Sequence, residues 1–139
     1  MASTETVSSV QESIQAGSNS TSFPELLYVN SKITAPEKLS AELFTKWYNE
    51  VHIPDIFVTS GIKEAYRYYT TASDPSTVER PYLALYPAKF AGYFQSKEFA
   101  SIPVKSDILP GPNHEIFDVA DFDARYYRTM GDFQAFEGK

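Results

Sequence analysis

Strand-like and helix-like hydrophobic patterns alternate along residues 25–130, and their order restricts the folds open to this chain. Apolar side chains that alternate with polar ones predict strands, whereas apolar side chains at three- and four-residue spacing predict amphipathic helices. The clearest helix pattern begins near Leu43, with Ser40 as a candidate N-cap, and Pro54 could open a second short helix that ends at Gly61. The predicted elements are a strand at 26–29, a helix at 40–52, a strand at 62–70, a strand at 82–86, a helix at 88–100 and a strand at 122–130.

This order of elements predicts an α+β domain of the ferredoxin-like βαββαβ type. In that fold, a four-stranded antiparallel sheet carries both helices on one face. Leu83 and Leu85 are expected to face the helices. They alternate with Tyr82, Ala84 and Tyr86, whose side chains would point to the other side of the strand. The other face of the sheet is then expected to carry Tyr28, Asn30, Tyr82 and Tyr86. In the second and fourth strands, either set of alternating residues could face inward.

The predicted outer face of the sheet has too much aromatic surface to be left in water on a monomer. Two copies that pack their sheets face to face would cover this surface, so we expect a symmetric homodimer. Because tyrosine and asparagine side chains end in polar groups, the joined faces are expected to enclose a cavity for a small hydrophobic or aromatic substrate.

The composition excludes several classes of site. The chain has no cysteine and two histidines, which rules out disulfides, thiolate zinc sites and histidine-rich metal clusters. Its net charge of −6 disfavours a nucleic-acid partner. No apolar run approaches the roughly 18 residues of a membrane helix, and neither a glycine-rich phosphate loop nor a G-x-S-x-G motif occurs. The sequence therefore predicts no cofactor, no metal, no nucleic-acid partner and no membrane partner.

Residues 1–22 are rich in Ser, Thr and Gln and contain almost no large apolar side chains. Such a segment cannot bury enough surface to offset its loss of conformational entropy, so we expect a disordered tail before a folded domain at 23–139. The tail also lacks the basic start and apolar run of a secretory signal, which predicts a cytoplasmic protein.

Four segments of the folded part carry a recognisable motif. They are FTKWYNEVHIPD at 44–55, PYLALY at 81–86, Leu109-Pro110, and DFDARYY at 121–127. Together they resemble the EthD-like proteins of the dimeric α+β-barrel superfamily, particularly the fungal members, over about residues 25–130. The resemblance implies a dimeric α+β barrel and an acid or base role for His52. It does not select a reaction, because these barrels host decarboxylases, dehydratases, cyclases, isomerases, monooxygenases and haem enzymes.

His52 is the sharpest candidate for catalysis, since the ordinary pKa of histidine lies near neutrality. The end of the predicted helix would favour its protonated form. Tyr48 lies one turn earlier, and Asp55 follows three residues later, where its carboxylate could orient the imidazole. We therefore predict His52 and Asp55 as the catalytic residues. The alternative is a histidine that only caps the carbonyls of the helix end.

Substrate binding is assigned to polar-tipped side chains of the strands and the first helix, and to arginines whose guanidinium fork matches a carboxylate or phenolate. The predicted substrate-binding residues are Tyr28, Asn30, Tyr48, Tyr66, Arg67, Tyr82, Tyr86, Arg125 and Tyr127.

These features favour a lyase or isomerase that needs no cofactor and transfers a proton on an aromatic or polyketide-like metabolite. The reaction would be a decarboxylation, a dehydration, or a cyclisation or isomerisation. A cofactor-free oxygenase is a variant, because its chemistry also begins with deprotonation. A different class is a non-catalytic protein that binds a hydrophobic ligand or only dimerises. A third is a scaffold whose N-terminal tail binds a partner.

Overall fold

One four-stranded antiparallel sheet organises the fold. The computed structural model describes residues 23–136, so the predicted disordered tail at 1–22 lies outside the described residues. The strands are β1 (Glu25–Ile33), β2 (Tyr66–Tyr69), β3 (Tyr82–Ala88) and β4 (Ala120–Arg128). They lie in the order β2-β3-β1-β4, and each neighbouring pair is antiparallel. The predicted α+β class and the four-stranded antiparallel sheet are confirmed.

A long helical segment connects β1 to β2 and carries the central residues of the candidate site. Its three parts are α1 (Ala41–Trp47), a π-helical turn (Tyr48–His52) and α2 (Ile53–Phe57). The hydroxyl of Ser40 accepts a hydrogen bond from the amide of Leu43 at 3.0 Å, which satisfies one of the free amides at the helix start. The predicted N-cap is therefore confirmed.

Helical geometry continues past Pro54, although the first helix was predicted to end at residue 52. Proline has no amide hydrogen and cannot make the regular helical hydrogen bond. Just before the proline, the amide of Ile53 bonds the carbonyl of Tyr48, which lies five residues back and not four. This wider spacing is that of a π helix. The π-helical turn thus carries the chain into α2 without a break, and the predicted short helix at Pro54 is confirmed as a continuation of the first.

The second helical region is shorter than the predicted helix at 88–100. It consists of a 3₁₀ turn (Tyr93–Gln95) and α3 (Lys97–Ala100). Strand β3 extends to Ala88, and Gly92 has a left-handed backbone conformation, with φ of 88°, that a right-handed helix cannot include. Among residues 23–136, no helix combines the length and the apolar character needed to cross a membrane.

The observed strands differ from the predicted ones in their bounds. The structure has strands at 25–33, 66–69, 82–88 and 120–128, where the sequence predicted 26–29, 62–70, 82–86 and 122–130.

The helix-facing side of β3 is the opposite of the predicted one. Leu27 of β1 pairs with Tyr86, and both are buried, whereas Tyr28 pairs with Leu85 on the outer face together with Leu83. The side chains of β3 that face the helices are those of Tyr82, Ala84, Tyr86 and Ala88. The prediction failed because this strand is apolar on both sides, so its alternation alone does not decide which side is buried.

The strand registers also decide the two orientations that the sequence left open. On β2, Arg67 pairs with the inward Ala84, which places Arg67 on the helix side and Tyr66 on the outer face. On β4, Ala124 pairs with the inward Val29. The helix-facing residues of β4 are Ala120, Phe122, Ala124 and Tyr126.

Phe44 of α1 is the centre of the packing between the helix and the sheet. Its side chain is fully buried. The ring meets Tyr82 edge-on at a centroid distance of 4.9 Å and Tyr48 edge-on at 5.2 Å. It also lies 6.3 Å from the ring of Trp47 and 6.2 Å from that of Phe122. One aromatic side chain therefore connects α1 to strands β3 and β4.

Replacing Phe44 by alanine is expected to lower the free energy of unfolding by about 3–5 kcal/mol, because a cavity is left among the aromatic rings. The control is Val58→Ala, at a side chain that is 82% exposed, with an expected change below about 0.5 kcal/mol. Urea denaturation followed by circular dichroism measures both. Equal stabilities of the two variants would contradict the central position of Phe44.

Candidate functional site

A pocket of about 410 Å³ lies between the sheet and the long helical segment. The helical segment contributes Trp47, Tyr48, His52 and Ile56. The sheet contributes Leu27, Val29, Tyr86, Phe122, Ala124 and Tyr126. The cavity was predicted between the sheets of two copies, but this pocket lies inside one chain, because Tyr86 faces the helices. Its volume and mostly apolar wall are typical of small-molecule sites.

His52 lies in the wall of this pocket, on the π-helical turn. Its imidazole stacks on the indole of Trp47, with centroids 4.5 Å apart and planes at 13°, and meets the ring of Tyr48 edge-on at 5.6 Å. Because the helix continues to Phe57, His52 is not at a helix end. The predicted dipole effect on its charge, and the alternative of a carbonyl cap, are therefore both wrong. π-Helical turns of this kind occur frequently at functional sites.

Burial lowers the pKa of His52 to about 4, so the imidazole is neutral at pH 7. Its Nδ1 atom is buried and has no hydrogen-bond partner. The predicted orientation of the imidazole by Asp55 is therefore wrong. No hydrogen bond joins the Asp55 carboxylate to the ring, and Asp55 does not line the pocket. The stack on Trp47 holds the imidazole in place instead.

The hydroxyl of Tyr48, whose ring meets that of His52, lies near two other hydroxyls on the inner side of the sheet, those of Ser31 and Tyr86. Burial raises the pKa of Tyr48 to about 12, although the Arg67 guanidinium and nearby hydroxyls oppose the change. Burial also raises the pKa of Tyr86 well above its usual value. The hydroxyls of Ser31 and Tyr86 are close enough to that of Tyr48 to affect its pKa, yet neither has a partner in hydrogen-bonding geometry. Both tyrosines are therefore protonated donors at neutral pH.

Arg67 lies on the far side of Tyr48 from this pocket. Its guanidinium carbon is 4.3 Å from the centroid of the Tyr48 ring and 6.0 Å from that of Tyr82. Such stacking stabilises an arginine by cation–π attraction. Arg67 and Tyr82 line a second, separate cavity. Of the predicted substrate-binding residues, only Tyr48 and Tyr86 line the same pocket as His52.

The other predicted binding residues lie on the outer face of the sheet, away from His52. They are Tyr28, Asn30, Tyr66, Arg125 and Tyr127. The side chains of Tyr28 and Asn30 are hydrogen-bonded at 2.9 Å, and the ring of Tyr127 meets that of Tyr28 edge-on at 6.1 Å. Arg125 forms an ion pair with Asp123 at 3.0 Å. This group is a surface cluster and takes no part in the pocket.

The sequence reasoning did not assign Trp47 of the pocket wall, or Ser31 beside Tyr48, to the site. Trp47 fits the helical core pattern, and nothing in its spacing marks it as the residue on which His52 stacks. Ser31 continues the alternation of Leu27 and Val29 along β1, so the two-residue period could have placed its hydroxyl on the inner face.

Within residues 23–136, no three His, Asp or Glu side chains are grouped in a way that could hold a metal ion. Comparison with known proteins finds no matching family model, no matching curated protein and no matching solved structure.

The lowered pKa of His52 predicts a specific dependence of stability on pH. Between pH 6.5 and pH 4 the unfolded chain binds a proton at His52 that the folded chain does not bind, so the free energy of unfolding falls as the pH falls. The expected loss from this residue is about 3 kcal/mol at most.

His52→Gln removes this titration and serves as the comparison. As the pH falls from 6.5 to 4, we expect the free energy of unfolding of the wild type to fall relative to that of the variant. In NMR spectra of the wild type, the His52 resonance, identified by its absence from the variant, is expected to titrate with a midpoint near 4. A midpoint near 6.5 would contradict the burial of the ring.

Proposed function

We propose that this chain is a cofactor-independent enzyme that transfers a proton on an aromatic or polyketide-like ligand bound in the His52 pocket. The observation that carries the proposal is the juxtaposition of a neutral imidazole with protonated tyrosine hydroxyls in one apolar pocket. The proposed reactions are decarboxylation, dehydration, and cyclisation or isomerisation.

The wall of the pocket supports an apolar, ring-containing ligand. Aromatic side chains surround the space on three sides, with Trp47 on the helix, Tyr86 and Phe122 on the sheet, and Phe99 on α3. A planar ligand would gain offset or edge-on contacts with these rings, in addition to the burial of its own apolar surface.

The ionisation states support proton transfer next to a carbonyl. Burial shifts the pKa values of His52 and the tyrosines in opposite directions, which leaves a neutral imidazole to accept a proton and phenols to donate hydrogen bonds. Donors such as Tyr48 and Tyr86 would stabilise the negative charge that develops on an enolate oxygen. That charge would in turn raise the pKa of His52 and make it a stronger base.

A non-catalytic ligand-binding protein is the second candidate. It is favoured by the pKa of His52 near 4, because an imidazole this weakly basic is a poor general base until a charged ligand lies beside it. The same pocket would then hold a hydrophobic molecule without changing it.

Proton exchange into a bound ketone separates these two functions. Acetophenone and larger aryl methyl ketones have a methyl group next to a carbonyl, so an enzyme of the proposed kind should accelerate exchange of its protons in D₂O. We expect His52→Gln to slow the accelerated exchange by about 100-fold or more. Removal of a hydroxyl donor in Tyr86→Phe is expected to slow it by about 10-fold or more.

The control for this experiment is His114→Gln, because His114 lies in a loop outside the pocket and its Nδ1 atom bonds the carbonyl of Leu109. Its exchange rate should stay within about twofold of the wild type, and proton NMR measures all rates. A ketone that binds the wild-type protein but exchanges no faster than in buffer would support the ligand-binding function and contradict the enzyme.

We further propose that the chain is an EthD-like α+β-barrel protein and that it dimerises through the outer face of its sheet. The support for the family is the motif at 44–55, which lies on the helical segment that carries His52, together with the strand order β2-β3-β1-β4, which is consistent with a ferredoxin-like fold. The support for the dimer is the outer face itself. Its exposed or half-buried apolar residues are Leu26, Tyr28, Tyr66, Tyr68, Leu83, Leu85 and Tyr127.

A charge in the middle of this outer face tests the dimer. Leu85→Asp would bury an unpaired carboxylate if two sheets packed together, so we expect the variant to sediment as a monomer at concentrations where the wild type is a dimer. Val58→Asp places the same charge on an exposed position of the helix end and should leave the dimer intact. A monomeric wild-type protein would contradict this proposal without affecting the pocket inside one chain.

A further inference from the structure

A second cavity of about 380 Å³ opens between the edge strand β2 and the start of α1. Its lining residues are Ala41, Thr45, Arg67, Tyr68, Tyr69 and Tyr82. None of these residues lines the His52 pocket. The two cavities are therefore lined by different residues, and the contact between the Tyr48 ring and the Arg67 guanidinium joins one lining to the other.

Arg67 has no acidic partner within the part of the chain that the structure describes. A guanidinium has five N–H donors, and the side-chain hydrogen bond of Arg67 is a long one of 3.3 Å to the neutral amide oxygen of Asn49. By contrast, Arg80 and Arg125 each form an ion pair with an aspartate. Although the chain has a net charge of −6, this half-buried arginine is not paired with a carboxylate, so its donors are free to bind an anionic ligand.

We propose that this second cavity binds a small aromatic carboxylate. The carboxylate would take the free donors of Arg67 in the planar, two-bond geometry that arginine prefers. The ring would lie against Tyr69 and Tyr82, whose own rings meet edge-on at 5.0 Å and form an aromatic wall. Arg67 is the single charged residue of the lining, so a monoanion is matched in charge and a phosphate dianion is not. The proposal does not depend on the function of the His52 pocket.

Benzoate and its neutral analogue benzamide are the probes, titrated into the ¹⁵N-labelled full chain and followed by NMR. We expect saturable amide shifts at residues 67–69 and 82 with benzoate, and binding at least 10-fold weaker with benzamide. This comparison uses only the wild-type protein, so it holds even if a variant fails to fold.

Arg67→Gln should weaken benzoate binding by at least 10-fold. The matched control, Arg125→Gln, removes an arginine from the outer face of the sheet and should change the dissociation constant by less than twofold. Equal binding of benzoate and benzamide, equal losses in both variants, or shifts confined to the lining of the His52 pocket would each overturn the proposal. Failure of proton exchange in the His52 pocket would leave these results unchanged, so the two proposals can fail separately.

Discussion

The stack of His52 on Trp47 is the interaction on which the pocket depends. It requires the helix to continue past Pro54, and the π-helical turn of residues 48–52 makes this possible by bonding the Ile53 amide five residues back. A helix that ended at residue 52 would leave His52 at an exposed end, with a partly charged ring. In the observed geometry the ring is held between aromatic side chains, and its Nδ1 atom is shielded from water.

Burial sets the chemistry of the pocket more than pairing does. Neither His52 nor Tyr86 has a hydrogen-bond partner for its buried polar atom, and both pKa values move toward the neutral form because charge is costly in an apolar space. Unpartnered buried polar atoms are rare in folded proteins, since each costs about 1–3 kcal/mol. A ligand oxygen that bonded the Tyr86 hydroxyl would recover part of that energy.

Local patterns in the sequence predicted the helix start at Ser40, the aromatic helix face that includes Phe44, and the α+β class with its four strands. Chain spacing also predicted that Tyr48 and His52 lie together. The inward side of β3 was not predictable, because Tyr82 to Tyr86 is apolar on both faces and the register depends on pairing with β1. The charge state of His52 could not be predicted from the sequence for a related reason. A local pattern indicates a helix end near a proline, whereas burial is decided by strands that are distant in sequence.

In the proposed function, an aromatic ligand occupies the space beside the His52–Trp47 stack. Trp47 is the single tryptophan of the chain, so 5-fluorotryptophan labelling places one ¹⁹F signal at the pocket wall. Titration with acetophenone should shift this signal in a saturable, one-to-one manner. Ala124→Phe, which fills the pocket from β4, should abolish the shift, and Ala91→Phe, at an exposed alanine outside the lining, should not. A signal that does not respond, or that responds equally in both variants, would contradict the account.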